Sequence, residues 1–392
     1  MIVFQKLYKL FLFVLKCLFR ILTLCIPIDE KKILFMAFHG RGILDNPKAI
    51  YLEFISEQRF EDYSIIWVLN DKTKELIPRG KTVRYQSLFY FYYLAKSKYW
   101  IVNCKLPEYV HKKKDQIYIQ TWHGVPLKKI GMDVVEIFRQ KSRSGRNAVE
   151  IKQSYFLDAQ RYNYMISPNS FCTRVFQSAF GVKKSQLLEI GYPRNDILYS
   201  PSPEYIDSLK EKYHIPKRTK VLLYAPTWRD DDYKIEGYTF HLKVDFELWR
   251  EVLGNYVVLF KPHYFIVNEI MVDPQLKNFV RIIDPKIDIN ELYLISDCLV
   301  TDYSSVFFDF ALLNRPIYFY MYDLVKYEKK LRGFYLDLYK DLPGEIYKTE
   351  KEMLQDIKYN KFDYKKLYEF NLLFNSSQTG NCSRKLLDLI FK

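Results

Sequence analysis

The stretch CLVTDYSSVFFDF, residues 298–310, reads as a β-strand that runs directly into a helix. Cys298–Thr301 is a short apolar run of the length expected for a buried strand. Asp302 and Tyr303 turn the chain, Ser304 and Ser305 cap the next helix, and Ser304–Leu313 carries the helical pattern. The alternation repeats on both sides. Val221–Ala225, Tyr256–Phe260, Val280–Ile283 and Ile317–Tyr320 read as strands, with helices around Phe246–Leu253 and Ile289–Ile295. A turn-rich segment precedes this series: Gly191 to Asp196, then Ser200-Pro201-Ser202-Pro203, leading into a helix over Glu204–Tyr213.

Upstream of that segment the same grammar holds. Ile33–Phe38, Ser64–Leu69, Tyr99–Asn103, Ile117–Thr121 and Tyr164–Ser167 read as strands. Helices are expected from Asn46-Pro47, with Asn46 as the cap and Pro47 at the first helical position, and over Gln86–Ala95, Asn147–Gln160 and Asn169–Phe180, the last closed by Gly181. The tail from Lys348 reads as helical to the end. Two βαβ series of about 180 residues each imply two Rossmann-like halves facing a cleft. The expected division is an amphipathic helix over 1–28, a first half over 29–200 and a second over 201–392.

The chain has 392 residues, a soft prior of two or three domains. Hydrophobic residues at 49% exclude intrinsic disorder. The six cysteines (17, 25, 104, 172, 298, 382) form no C-x-x-C pair, which disfavours a disulfide scaffold or zinc knuckle. No G-x-G-x-x-G or G-x-x-x-x-G-K-[ST] occurs, which disfavours nicotinamide or flavin enzymes and P-loop NTPases. The net charge of +14 calls for an anionic partner. Without zinc-finger or RNP-like motifs, nucleic acid is disfavoured, leaving a phosphorylated substrate or a lipid surface.

Residues 1–28 read MIVFQKLYKLFLFVLKCLFRILTLCIPI. Lys6, Lys9, Lys16 and Arg20 interrupt the apolar run and fall within an arc of roughly 80° on a helical wheel. A cationic stripe beside a broad apolar face suits the interface of an anionic membrane. A spanning helix would have to bury Lys16, and a signal peptide would need an unbroken apolar core and a cleavage site; a helix packed on the protein's own core is the remaining alternative.

His123 and His263 each follow a buried-looking strand, where open α/β sheets bind ligands. His123 lies in Thr121-Trp122-His123-Gly124-Val125-Pro126-Leu127-Lys128, in which Gly124 permits close backbone approach to a ligand. An imidazole here suits a general base. Lys261 and His263 make a cationic corner, and Arg229, after Thr227-Trp228, brings a guanidinium suited to phosphate. Asp230, Asp231 and Asp232 read as a solvated loop. The Ser304-Ser305 helix start is an anion site, with Asp309 one turn on along the same face as Ser305.

Seven segments, in order, resemble the CDP-glycerol glycerophosphotransferase family, the TagB/TagF-type enzymes of teichoic-acid synthesis. They are Asp45-Asn46-Pro47-Lys48, residues 121–128, Gly191-Tyr192-Pro193-Arg194-Asn195-Asp196, Ala225-Pro226-Thr227-Trp228-Arg229, Lys261-Pro262-His263, Thr301 to Asp309, and Arg332-Gly333-Phe334-Tyr335. The resemblance covers residues 33–347. Val125 departs from it, standing where relatives often carry Thr. The resemblance implies a GT-B-like α/β fold with a membrane-associated N-terminus, at the cytoplasmic face of the cell membrane. It also implies transfer of a polyol phosphate from a CDP-polyol to an acceptor hydroxyl, with release of CMP and no indicated cofactor or metal. The catalytic candidates are then His123 and His263. The donor side comprises Arg229, Lys261, Thr301, Ser304, Ser305, Asp309 and Arg194. The acceptor side comprises Asn46, Gly124 and Lys128, facing a lipid-linked glycan or polyol-phosphate. The compact chain favours a primase or capsule-type transferase. CDP-ribitol as donor and a nucleotide-sugar glycosyltransferase are the alternative readings.

Overall fold

A computed structural model describes residues 2–71, 77–134, 148–227, 233–234, 237–238, 242–262, 272–284, 286–325 and 333–391. The described residues of the first half hold seven strands: β1 (Asp29–Met36), β2 (Ser64–Leu69), β3 (Lys81–Arg84), β4 (Ser97–Val102), β5 (Ile117–Gln120), β6 (Tyr164–Ser167) and β7 (Leu187–Glu189). They form one parallel sheet in the order β3-β2-β1-β4-β5-β6-β7. The helices of this half are α1 (Ile2–Cys25), α2 (Asp45–Ser56), α3 (Leu88–Lys96), α4 (Ala148–Ala159) and α5 (Ser170–Phe180).

The second half is built from β8 (Lys220–Ala225), a small hairpin of β9 (Tyr233–Lys234) and β10 (Gly237–Tyr238), then β11 (Tyr256–Phe260), β12 (Val280–Ile282), β13 (Cys298–Thr301), β14 (Ile317–Tyr320) and β15 (Ile346–Tyr347). Its six-stranded sheet is again parallel, in the order β12-β11-β8-β13-β14-β15. The helices are α6 (Pro203–Lys212), α7 (Phe246–Val252), α8 (Ile289–Ile295), α9 (Val306–Phe310), α10 (Leu338–Asp341), α11 (Glu350–Lys358), α12 (Tyr364–Phe374) and α13 (Cys382–Ile390). Strands covered on both faces must be apolar throughout, which is why Val221–Ala225 and Tyr256–Phe260 are unbroken apolar runs and fully buried. The edge strands β3, β7 and β15 escape the sequence pattern because they are short. Of β3 only Val83 is buried.

Both sheets switch direction at the same kind of place, between β1 and β4 and between β8 and β13. Ligand crevices form there, at the carboxyl ends of the strands. Three further observations bear on the sequence reading. Asn46 is not a cap: α2 begins at Asp45, Leu44 before it offers no side-chain cap, and Asn46 is buried in the first turn. The tail is helical as read from the sequence and consists of three separate helices. The last of them, α13, returns to the first half, where Phe391 packs on Phe54, Phe60 and Tyr99 at ring separations of 5.4, 5.4 and 4.4 Å.

The helix α1 has three faces. Phe19 and Thr23 are buried and Leu22 and Ile26 partly so, with Phe19 edge-on to Phe91 of α3 at 5.7 Å. Leu10, Phe11, Phe13, Val14, Leu18, Ile21 and Leu24 are exposed. Lys16 and Arg20 are exposed between those two faces. Among the described residues, no helix is long and apolar enough to cross a membrane.

Candidate active site

A cavity of about 330 Å³ opens between the two sheets. From the first half, Phe38 and Arg41 after β1, Asp45 of α2 and His123 after β5 line it, with Arg194 from the connecting turn. From the second half come Pro226 after β8, Lys261 after β11, Asn290 and Tyr293 of α8, and Ser304, Ser305 and Asp309 at the start of α9. The strand-end placement read from the sequence therefore brings His123, Lys261 and the serines to one space.

The His123 ring stacks on Trp122 at 4.4 Å and meets Phe38 edge-on at 5.7 Å. Its Nδ1 lies 2.8 Å from the Asn103 carbonyl oxygen. A carbonyl only accepts, so Nδ1 carries the hydrogen and Nε2 keeps a lone pair. Burial pulls the imidazole pKa below 6.5. The Asn103 bond and Asp45 act against that, and Arg194 acts with it. The ring is therefore neutral near pH 7 and able to take a proton at Nε2. The left-handed residue of this loop is Trp122 (φ 52°), not Gly124. What Gly124 provides is space: a Cβ there would lie 3.0 Å from Ser305 Oγ, across the cleft.

Lys261 is 8% exposed and donates to the Asp284 carbonyl at 2.7 Å. Burial lowers its pKa to about 8 against the opposing pull of Asp284 and Asp288. Ser304 and Ser305 are half-buried in the cavity wall. Ser304 Oγ accepts only a long 3.5 Å bond from the Val306 N–H, and Ser305 makes no capping bond. Both hydroxyls and the helix-start N–H groups can meet an anion.

Several expected donor and acceptor ligands are engaged elsewhere. Thr301 is fully buried, donates to the Ala225 carbonyl at 2.8 Å and is not part of the cavity wall. Arg194 donates Nη1 to Asp45 at 3.0 Å and Nη2 to Asp309 at 2.7 Å, so its charge is neutralised twice over. The second oxygen of Asp309 accepts from Asn195 at 2.7 Å, so both carboxylate oxygens hold neighbouring side chains while Asp309 stays in the cavity wall. Asn46 donates to the Thr121 and Trp122 carbonyls and accepts from the Arg194 N–H, tying the His123 loop to the turn. It is fully buried and offers nothing to an acceptor. Lys128 pairs through its backbone with Phe334 of the second half and lies outside the cavity wall.

Arg229, His263, Arg332, Asp230 to Asp232 and the cations from Arg139 to Arg146 lie outside the described residues. Two residues, Asp302 inside a motif and Asn103 outside them all, carry more than the sequence analysis assigned to them. Asp302 accepts from both the Thr227 N–H and hydroxyl at 2.8 Å, binding the loops after β8 and β13 together. Asn103, at the end of β4, orients His123. Its signal was its place directly after a buried strand, the same signal that picked out His123.

A family model described as CDP-glycerol:poly(glycerophosphate) glycerophosphotransferase matches residues 18–392. The chain is 40% identical over 375 residues to the teichoic acid glycerol-phosphate transferase of Staphylococcus aureus (strain NCTC 8325 / PS 47), covering 93% of this chain and 94% of that protein. It is 38% identical over 375 residues to the teichoic acid poly(glycerol phosphate) polymerase of Staphylococcus epidermidis, covering 93% of this chain and 51% of that protein. The chain thus spans about half the length of that relative. A solved structure of the wall teichoic acid polymerase TagF superimposes with a TM-score of 0.84 at 37% identity, over 93% of this chain and 88% of that one. The match over nearly the whole chain, in sequence and in both parallel-sheet units, means that the protein belongs to the CDP-glycerol:poly(glycerophosphate) glycerophosphotransferase family.

Proposed function

We propose that the chain transfers glycerol phosphate from CDP-glycerol to a hydroxyl of a lipid-linked acceptor, releasing CMP, in the synthesis of teichoic acid or a related cell-surface polymer. One observation carries the reading: an imidazole with an open Nε2 faces, across a single cavity, a buried lysine and two serine hydroxyls at a helix start. The acceptor hydroxyl gives its proton to His123 Nε2 as its oxygen bonds to the β-phosphorus. The bond from that phosphorus to the bridging oxygen breaks, and CMP leaves with the electron pair. Lys261, Ser304 and Ser305 hold the pyrophosphate and offset the charge that develops on it, with Arg229 and His263 as the further ligands expected from the sequence.

The acceptor's lipid is met, in this reading, by α1 lying in the interface of an anionic membrane. Its exposed apolar face and flanking Lys16 and Arg20 support this. The enzymatic test uses purified protein, CDP-glycerol or CDP-ribitol, and a lipid-linked acceptor, followed by CMP release and product mass. CDP-glycerol should be the better donor. His123→Ala should lower turnover by about 10³-fold with donor binding largely kept. Near-normal turnover in that variant, or stabilisation of the protein by UDP-sugars but not by CDP-glycerol, overturns the proposal.

A further inference from the structure

The loops around the cleft hold four non-glycine residues in the left-handed region: Phe38 (φ 45°), His39 (57°), Asp45 (61°) and Trp122 (52°). Such conformations persist only where the surroundings enforce them. At Asp45 the enforcing bonds can be traced. Its Oδ1 accepts from the Asn46 N–H at 2.6 Å and from Arg194 Nη1 at 3.0 Å. Its Oδ2 accepts from Asn103 Nδ2 at 3.0 Å. Asn103 Oδ1 in turn accepts from the Phe38 N–H at 2.8 Å, and the Asn103 main-chain carbonyl receives His123 Nδ1–H at 2.8 Å. Asn103 thus touches His123 through its backbone and Asp45 through its side chain. From Asp45 the chain of bonds continues through Arg194 to Asp309 at the start of α9. Asn103 is fully buried and Asp45 is 8% exposed, so water competes little for these bonds.

We propose that Asp45 and Asn103 are positioning residues for His123, holding its tautomer and ring orientation and linking them through Arg194 to the helix start on the opposite wall of the cleft. The proposal rests on His123 being the base. On this account Arg194 belongs to the frame of the site and not to the donor's phosphate ligands. The Asp45 carboxylate also favours the protonated imidazole, and with the Asn103 bond it works against the lowering that burial causes. The other charges near the ring are Arg194 from the turn and His39 from the loop after β1, with Arg41 and Lys105 beside His39. None of these supplies a second carboxylate, so Asp45 is the negative group through which the ring can be tuned among the described residues.

Asp45→Asn is the informative variant, because asparagine tolerates the left-handed backbone as aspartate does, removes the charge and turns one acceptor oxygen into a donor. The acid limb of kcat/KM reports the base in the free enzyme. In Asp45→Asn it should move to lower pH, by about half a unit or more, with kcat reduced and KM for CDP-glycerol nearly unchanged. Asn103→Ala, which keeps the carbonyl but loses the link to Asp45, should lower kcat about tenfold, again with little change in KM. A purely structural role would lower the amount of folded enzyme without moving the limb. If Asp45→Asn does not fold, the ring nitrogens of His123 in the unaltered protein decide, read by ¹H–¹⁵N correlation and assigned with His123→Asn. Hydrogen on Nδ1 supports the proposal, and hydrogen on Nε2 overturns it. An unmoved limb in folded Asp45→Asn also overturns it. Full activity in His123→Ala would instead remove the reading on which it stands.

Discussion

His123 and Lys261 face one cavity but change charge on opposite sides of neutrality. Burial lowers both, the imidazole to below 6.5 and the ammonium to about 8. A base must be neutral and a phosphate ligand must be charged, so both groups are in the required state only between those two values. The kcat/KM profile should therefore rise through a limb below pH 6.5 and fall through a limb near 8. Lys261→Arg keeps its charge to far higher pH, so the alkaline limb should disappear, with the maximum reduced because a guanidinium does not fit an ammonium's site. An alkaline limb persisting near 8 in that variant would assign it to another group. Both residues were legible in the sequence because each follows directly on a buried strand. The bonding of Thr301, Asp309 and Asn46 was not, since a hydroxyl, carboxylate or amide in a motif looks the same whether it faces a ligand or a neighbouring backbone.

At the scale of elements, α1 separates two effects that adjacent residues carry. Phe19 is 4% exposed and packs on Phe91, whereas Leu18 beside it is 57% exposed. Phe19→Ala should cost about 3 kcal/mol of stability, measured by denaturant unfolding. Leu18→Glu should leave stability within about 0.5 kcal/mol and weaken sedimentation with vesicles containing anionic lipid. Equal vesicle binding by Leu18→Glu and the unaltered protein would count against the membrane role of that face. The amphipathic pattern was plain in residues 1–28, but a helical wheel alone could not say which part of the apolar arc is covered. That depended on α3, whose Phe91 takes the stripe containing Phe19 and leaves Leu10, Phe13 and Leu18 outside.

Over the whole molecule, the two halves are joined at more places than the turn between them. The Lys129 N–H donates to the Gly333 carbonyl at 3.0 Å and the Tyr335 N–H to the Leu127 carbonyl at 2.9 Å, so the chain after His123 pairs with a segment of the second half. The Tyr335 hydroxyl donates to Asp133 at 2.6 Å and accepts from the Ile130 N–H at 3.3 Å. Tyr335→Phe removes both bonds. It should lower stability by about 1–2 kcal/mol and raise KM for the donor more than it lowers kcat, because the cleft walls are held less firmly. Unchanged kinetics with unchanged stability would show that this pairing does not brace the site. On the other side, Asp196 accepts from the Cys382 and Ser383 N–H groups at 2.9 and 2.8 Å, anchoring α13 as it crosses back to the first half.

The amino-acid sequence by itself determined the alternation of strand and helix, the two parallel sheets and the strand-end positions of His123, Lys261, Ser304 and Ser305. These come from local periodicity and from the rule that ligands gather at the carboxyl ends of parallel strands. Only the tertiary structure decided which groups Arg194 bonds. Its two carboxylate partners stand 149 and 115 residues away along the chain, and no local pattern records such pairings. Burial then made the difference physical: the guanidinium is closed in between two acids, while the serines of the same cavity wall are only half-buried.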